Sequence, residues 1–474
     1  MSHHPYFYID GAWVPPVVPE TAPVENPATG EEIATISLGS AVDVDKAVAA
    51  AVAAFPKWSA TPLAERRALV EAFLAVYEKR FEEMAQTITS ELGAPITMSR
   101  EQQADTGSGH TRGFLEALDD VVWEEKLANG DTLTREPIGV VGLITPWNWP
   151  MNQISLKVIP AVLAGCTCVL KPSEVTPLNA LLWADMMHEA GFPPGVFNLV
   201  NGTGPEVGAA LSGHPDIAMM SFTGSTRAGT AVTVDAAPTV KRVTLELGGK
   251  SPNIVFADCD LEERVRGSVL EVMNNTGQSC DAPTRMLVER PVYDRAVEIA
   301  AETALATEVG DPTQEGSHIG PLVSGLQWDR VQALIEAGVR EGARVVAGGP
   351  GKPEGMNAGH WARPTIFADC TVDMRVWREE IFGPVLSMMP FDTEEEAIAL
   401  ANDTDYGLAA YLQTGDAARA RRVMRQLKAG NVHLNGAGVA YGSPFGGYKR
   451  SGSGREGGLP GLEDFLEIKM LHGV

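Results

Sequence analysis

Cysteine is scarce in this sequence, with five residues in 474, at Cys166, Cys168, Cys259, Cys280 and Cys370. So few, so irregularly spaced, exclude a disulfide framework, and Cys166-Thr-Cys168 lacks the His or Cys partners of a zinc finger. No metal site is expected. Long apolar runs are missing as well. The best, Val158 to Leu170, is 13 residues and contains Pro160 and Thr167, against roughly 20 needed to span a bilayer. Positive charge is in deficit: 37 Lys and Arg against 61 Asp and Glu give −24, which repels a phosphate backbone. Nucleic acid and membrane are therefore excluded as partners. Residues 1–16 show no Lys or Arg leading into an apolar stretch, so no secretory signal is read and the cytoplasm is the expected compartment. Internal repeats and low-complexity tracts are also lacking. What remains is an ordinary globular composition, 44% hydrophobic and 21% charged, at a length that suggests about three units of roughly 150 residues.

Hydrophobic spacing divides the chain. Ala41 to Leu92 predicts two amphipathic helices, with Thr61-Pro62 as an N-cap and a first-turn proline. From Ile138, short β-branched runs (138–144, 167–170, 196–200, 217–222, 243–247) alternate with helical patterns (153–163, 178–190, 206–211, 226–234). That alternation predicts a parallel, doubly wound sheet, in which ligands sit beyond the strand carboxyl ends. A second α/β series follows, with strands near 253–256, 286–289, 344–346 and 385–390 and helices near 261–273, 292–303 and 328–341. Between the leading helices and Ile138, Asn129-Gly130 marks a hairpin turn within Val121–Pro137, a natural place for subunit pairing. The glycine-rich stretches Gly348–Gly359 and Gly436–Gly461 read as loops.

Several segments carry groups suited to chemistry, each with a plainer structural alternative. Asn274-Asn-Thr-Gly-Gln-Ser-Cys280 sets a thiol on a glycine-containing turn after a helix: a nucleophile, or a buried inert cysteine. Leu245-Glu246-Leu247-Gly-Gly249 sets a carboxylate at the end of an apolar strand, where it is either satisfied structurally or raised in pKa, as a general base requires. Phe222-Thr-Gly224-Ser225 stands where a strand feeds a helix, and its free N–H groups either hold an anion or are capped by Ser225. Asn201-Gly-Thr-Gly204-Pro-Glu-Val-Gly208 is one residue too long for G-x-G-x-x-G. Pro146-Trp147-Asn148-Trp149-Pro150 fixes an amide that either donates to a developing oxyanion or packs on the core. Lys171-Pro-Ser173-Glu174 offers a carboxylate to a ribose hydroxyl, or to the next helix as a cap.

Together and in order, these segments resemble the aldehyde dehydrogenase superfamily across nearly the whole chain. Glu380-Ile-Phe-Gly-Pro384, Asn435 and Pro444-Phe-Gly-Gly-Tyr-Lys-Arg-Ser-Gly452 add to the match. The resemblance implies an aldehyde dehydrogenase-like α/β fold: two doubly wound α/β domains plus a small β-hairpin oligomerisation domain. Its divisions would be a cofactor-binding domain (1–120 and 138–248), a catalytic domain (249–447) and a bridging domain (121–137 and 448–474). It also implies oxidation of an aldehyde to a carboxylic acid. Cys280 would attack the carbonyl, Asn148 and the Cys280 N–H would hold the oxyanion, and Glu246 would activate water and help deprotonate the thiol. Lys157 and Glu456 would relay the proton. NAD, with NADP as a possible substitute, would be held by Ile144, Trp147, Lys171, Ser173, Glu174, Gly204, Phe222, Gly224, Ser225, Leu247, Glu380 and Phe382. Glu174 favours NAD because a carboxylate repels a 2′-phosphate, and Glu246 favours hydrolysis over acyl transfer to coenzyme A.

The resemblance further implies a substrate pocket built from Trp149, Gln153, Ser279, Asp281, Phe445 and the small residues of Gly436–Ser443. No Arg stands in these segments before Lys449, which favours bulky or aromatic aldehydes over semialdehyde acids. A semialdehyde-acid dehydrogenase and a thiol esterase without redox chemistry are the alternatives, the latter disfavoured because no histidine lies in the motif set. A homodimer or homotetramer is expected.

Overall fold

Near-continuous apolar runs bury both faces of each central strand, and helices must then cover both. The computed structural model, which describes residues 2–473, has two such sheets. In the first, the parallel strands Arg242–Glu246, Met219–Thr223, Val140–Ile144, Thr167–Lys171 and Phe197–Leu199 lie side by side in that order. Antiparallel strands flank them: Gly452–Ser453 beside Arg242–Glu246, and Phe7–Ile9 with Ala12–Val14 at the opposite edge. Val141, Leu143, Cys168 and Leu170 enter the core on one face, while Val140, Ile144, Val169 and Phe222 enter the core on the other. The second sheet places Thr365–Ala368, Val385–Phe391, Arg285–Glu289, Pro252–Val255, Ala409–Gln413 and Asn431–Leu434 in parallel, with Arg344–Ala347 antiparallel at one edge.

The predicted hairpin pairs Glu124–Lys126 with Thr132–Pro137, and Leu466–Leu471 from the C-terminal region adds a third strand to it. Among the described residues no helix is long and apolar enough to cross a membrane. The 13-residue apolar run is instead cut in two. The helix Pro150–Ala164 ends at Gly165, whose φ of +97° turns the chain straight into Thr167–Lys171.

The structure corrects the sequence reading at several places. Ala41–Leu92 forms three helices, Ala41–Ser59, Leu63–Lys79 and Phe81–Leu92, because Arg80 breaks the second amphipathic stretch. Thr61 does not cap Leu63–Lys79; its hydroxyl donates to the Lys57 carbonyl, and Pro62 itself occupies the N-cap. The segment near 206–211 is a π turn, Gly204–Gly208, followed by the short helix Ala209–Gly213. Gly436–Gly461 is not loop throughout: Gly452–Ser453 pairs with Leu245 and Glu246, and Gly458–Glu463 begins a helix. A separate three-stranded sheet from Ser2–His4, Glu20–Asn26 and Glu31–Leu38 had no clear signal, since its alternation is broken by exposed polar residues.

Gly165 is required twice over. A Cβ there would sit 1.9 Å from Arg66 Nη1, which donates to the Ala164 carbonyl. Gly165→Ala is expected to lose about 1–2 kcal/mol from the left-handed backbone alone, with a further loss as Arg66 is displaced. A lowered chemical-denaturation midpoint checks this; an unchanged midpoint contradicts it.

Candidate active site

The strand order of the first sheet brings the carboxyl ends of five strands to one rim. Ile144, Lys171, Phe222, Thr223 and Glu246 lie at or next to those ends. Ser225 caps the helix Thr226–Ala236 through its side chain, which accepts from the Ala228 N–H at 3.3 Å. Both alternatives at this turn are thus compatible, because the first N–H groups of the helix remain without helical partners. Lys171 Nζ pairs with Glu174 Oε2 at 3.2 Å, and Ser173 Oγ accepts from the Val175 N–H. Gly204 opens the π turn with open space where a side chain would stand, Gly224 packs on the Phe222 ring, and Leu247 fills the space above Gly229. Trp147 meets Phe382 edge to face at 5.3 Å.

Cys280 sits on a different kind of structure. The helix Leu261–Met273 ends in a tight turn, Asn274–Gly277, in which Asn275 (φ +50°), Thr276 (+57°) and Gly277 (+72°) are all left-handed. Two non-glycine residues in that region are strained, so side chains must hold them. Asn275 Nδ2 donates to the Asn148 carbonyl at 2.9 Å, Gln278 Nε2 donates to the Asn275 carbonyl at 3.0 Å, and Thr276 Oγ1 donates to the Gly320 carbonyl at 3.0 Å. Gln278 Oε1 accepts from the Val323 N–H, and Asn148 Nδ2 donates to the Gln278 carbonyl at 2.9 Å. One Asn148 N–H therefore braces the nucleophile turn, leaving the other for a ligand. Gly277 is the residue at the closest approach, since a Cβ there would lie 2.0 Å from the Gly383 carbonyl oxygen.

The two glycines after Glu246 have a similar cause. A Cβ on Gly249 would meet the Cys280 carbonyl oxygen at 2.2 Å, and one on Gly248 would meet Glu380 Oε2 at 2.3 Å. Small residues thus let the Glu246 strand end close on the thiol segment and on Glu380, which accepts from the Gly249 N–H at 3.0 Å. Glu246 is 3% exposed, and neither of its oxygens has a hydrogen-bond partner. Burial, with Glu456 nearby, holds its carboxyl well above the usual range. Of the two possibilities raised by the sequence, the satisfied structural Glu is excluded.

Burial also raises Glu380 to about 7, and it raises Cys280 well above an ordinary thiol, with Asp281, Glu380 and Glu246 adding negative charge nearby. Behind Glu246, the buried Lys157 ammonium pairs with Glu456 and donates to Thr223 Oγ1 at 2.7 Å.

Trp149, Gln153, Ser279, Cys280, Asp281 and Phe445 all line one cavity of about 590 Å³, together with 436–441 and Ser443. Trp149 Nε1 donates to Ser279 Oγ at 2.8 Å, fixing the indole beside the thiol segment. Asn148, Lys157, Glu246 and Glu456 are not among the residues that line it. The sequence reading missed part of the wall. Arg264 lines the cavity, but Nη1 donates to the Asn435 carbonyl at 2.7 Å and Nη2 pairs with Glu263 at 3.1 Å, so it is already committed. Its signal was legible, since Arg264, Ser268 and Glu271 form an i, i+4, i+7 polar stripe on the helix leading to Cys280.

Two histidines from outside the motif set line the cavity as well. His110 bonds Asn152 Oδ1 at 2.7 Å, and His433 stacks on its cross-strand partner Tyr411 at 4.6 Å. Neither hydrogen-bonds the Cys280 thiol among the described residues. Those residues also contain no cluster of metal-ligating side chains.

Comparisons with known proteins bear on this site. The aldehyde dehydrogenase family profile matches residues 13–471. The chain is 51% identical over 474 residues to a 3-succinoylsemialdehyde-pyridine dehydrogenase from a Pseudomonas species, covering 100% of this chain and 99% of the relative. An aldehyde dehydrogenase from Bartonella henselae superposes with a TM-score of 0.98 at 53% identity, covering 99% of both chains. A variant of aldehyde dehydrogenase C from Pseudomonas syringae, solved with NAD+ and octanal, superposes with a TM-score of 0.97 at 51% identity, covering 98% of this chain and 96% of that one.

Because both burial and negative neighbours raise the Cys280 thiol, alkylation of Cys280 by iodoacetamide should climb roughly tenfold per pH unit through about pH 8 to 9 without levelling, since thiolate is the reactive form. Peptide mass analysis of the Cys280 adduct against pH measures it. A plateau below pH 8 would contradict the electrostatic account.

Proposed function

The chain belongs to the aldehyde dehydrogenase family, and from that premise we propose that it oxidises a bulky or aromatic aldehyde to the carboxylic acid with NAD as oxidant. The observation that carries the reading is the strained turn that holds Cys280 between Asn148 and the Glu246 strand end, at the floor of a cavity large enough for a ring or a long chain.

NAD fits the residues present. Gly204 leaves the backbone approachable, the Thr226–Ala236 helix offers free N–H groups at its start, and the Lys171–Glu174 pair stands at the carboxyl end of its strand. Ile144, Trp147, Lys171, Ser173, Glu174, Gly204, Phe222, Gly224, Ser225 and Leu247 would hold it, with Glu380 and Phe382 at the nicotinamide end. When bound, NAD supplies the hydride acceptor. The Glu174 carboxylate favours NAD over NADP by repelling a 2′-phosphate.

The chain's own groups account for the rest. Cys280 Sγ adds to the aldehyde carbon, and the free Asn148 Nδ2 proton with the Cys280 N–H stabilises the oxyanion that forms. Once the acyl group is on sulfur, Glu246 takes a proton from water as the water oxygen bonds to the acyl carbon, and the C–S bond breaks to release the carboxylic acid and the Cys280 thiolate. A buried carboxyl with no hydrogen bonds is a strong base when ionised, which suits that step. The buried Lys157–Glu456 pair offers the proton a way out.

Aromatic or long aldehydes are favoured over semialdehyde acids because Arg264, the only Arg among the described residues that line the cavity, is committed to Asn435 and Glu263. The names of two relatives point the same way, one to a pyridine-bearing semialdehyde and one to octanal. We further assign the cofactor-binding part to 1–120 and 138–248, the catalytic part to 249–447 and the bridging part to 121–137 and 448–474. The bridging sheet leaves Glu124–Lys126 and Leu466–Leu471 at open edges, with Ile468 exposed, which supports pairing of subunits into dimers or tetramers. Cytoplasmic residence accords with the free thiols.

Cys280→Ala should abolish NADH formation while leaving NAD affinity within about twofold; retained turnover would sink the assignment of the nucleophile. In the parent enzyme, Glu246 and Cys280 must both lose protons, and both are raised, so the rate should climb from about pH 7 to about pH 9. Initial rates across that range check the sign; a rate that falls as pH rises would contradict it.

A further inference from the structure

We propose that Tyr441, clipped onto the helix Asp105–Ala117 through Gly109, sets the length of the aldehyde that the cavity accepts. This rests on the reading of that cavity as the aldehyde site. Tyr441 lines the cavity wall opposite the helix that leads to Cys280. Its hydroxyl donates to Asp105 Oδ2 at 2.7 Å, and its ring meets the His110 ring edge to face at 5.0 Å.

Gly109 lies directly beneath that ring. A Cβ on Gly109 would fall 2.3 Å from Cε2 and 2.4 Å from Cζ of Tyr441, and one on Gly113, a turn later, would fall 3.0 Å from the Gly442 N. Helix interiors disfavour glycine, so the glycines at 109 and 113 are explained by the close seating of this loop on the helix. The loop is attached by left-handed residues at each end, Asn435 (φ +52°) and Gly436 (φ +78°) on one side and Gly442 (φ +86°) on the other. Near its start the loop is held by His433 Nδ1, which bonds the Ala437 carbonyl at 2.7 Å, and Tyr441 attaches its later part to the helix. The seated ring bounds the cavity on that side, and displacing it would lengthen the space available to an aldehyde.

Gly109→Ala is a selective lever. The added methyl collides with the end of a side chain that is 44% exposed, so the ring can swing outward without moving the helix, breaking the Asp105 bond as it goes. Two measurements follow on Gly109→Ala, Tyr441→Ala and Tyr441→Phe. The first is the ratio of Cys280 alkylation rates by pyrene maleimide and by iodoacetamide, scored by peptide mass so that Cys259 does not contribute. The second is KM and kcat over a series of straight-chain aldehydes with NAD.

The expected result is a rise of about fivefold or more in the alkylation ratio for the two alanine variants, and a shift of the lowest KM toward longer aldehydes. For Gly109→Ala, kcat should stay within about twofold. Tyr441→Phe keeps the ring but loses the tether, so it should fall between. An unchanged alkylation ratio, or an equal loss of kcat at every chain length with the preference unmoved, would overturn the proposal. If the parent protein oxidises no aldehyde, the activity reading falls, and the alkylation ratio alone still decides the role of Tyr441.

Discussion

The left-handed turn Asn275–Thr276–Gly277 is the constraint on which the site depends. Strained backbone persists only where its surroundings overdetermine it, and here the surroundings are Asn148, Gln278, Gly320, Val323 and the Gly383 carbonyl. Those partners come from the segment after the first sheet's Val140–Ile144 strand and from the second sheet's domain. The turn is therefore a joint between the two α/β units, and Cys280 emerges from it three residues later. Asn148 braces the joint with one N–H, so under the proposed mechanism the oxyanion donor and the thiol would be positioned by the same hydrogen bonds. Preorganisation of this kind costs nothing at the moment of reaction.

Desolvation is the second ingredient. Glu246 has no hydrogen-bond partner, Glu380 is raised to about 7, and Cys280 is raised by burial with negative neighbours. In such surroundings a carboxylate or a thiolate is costly to form and strongly basic or nucleophilic once formed. Two buried lysines stand nearby: Lys157 is paired with Glu456 and Thr223, and Lys250, next to Gly249, is lowered by burial to about 7. Charge at the site is thus arranged to be scarce before substrate arrives.

Legibility followed locality. The strands of both sheets and the helix at 261–273 were readable because alternation and helical spacing are local, whereas Cys280, Glu246 and Asn148 stood out locally only as candidates beside glycine, proline or a strand end, and their roles were drawn from the family resemblance and not from spacing. Which alternative held at Glu246 was not readable: burial without a partner is a property of the whole fold. The same applies to Tyr411 and His433, which meet only because two distant strands pair in register. Arg264 was readable as a stripe on its helix, but its commitment to Asn435 was not. The break at Arg80 was missed because the amphipathic pattern continues across it, and Thr61 capped nothing because its hydroxyl found the nearer Lys57 carbonyl.

The central claim is that one thiol carries the acyl group and one buried carboxyl releases it. Intact mass of Glu246→Gln protein, mixed with a long-chain or aromatic aldehyde and NAD, tests it most directly, because Gln keeps the volume and removes the base. The account predicts a single stoichiometric acyl adduct that maps to Cys280 and is absent when NAD is omitted after acid quench. Free protein with full turnover, or an adduct on another residue, would contradict it.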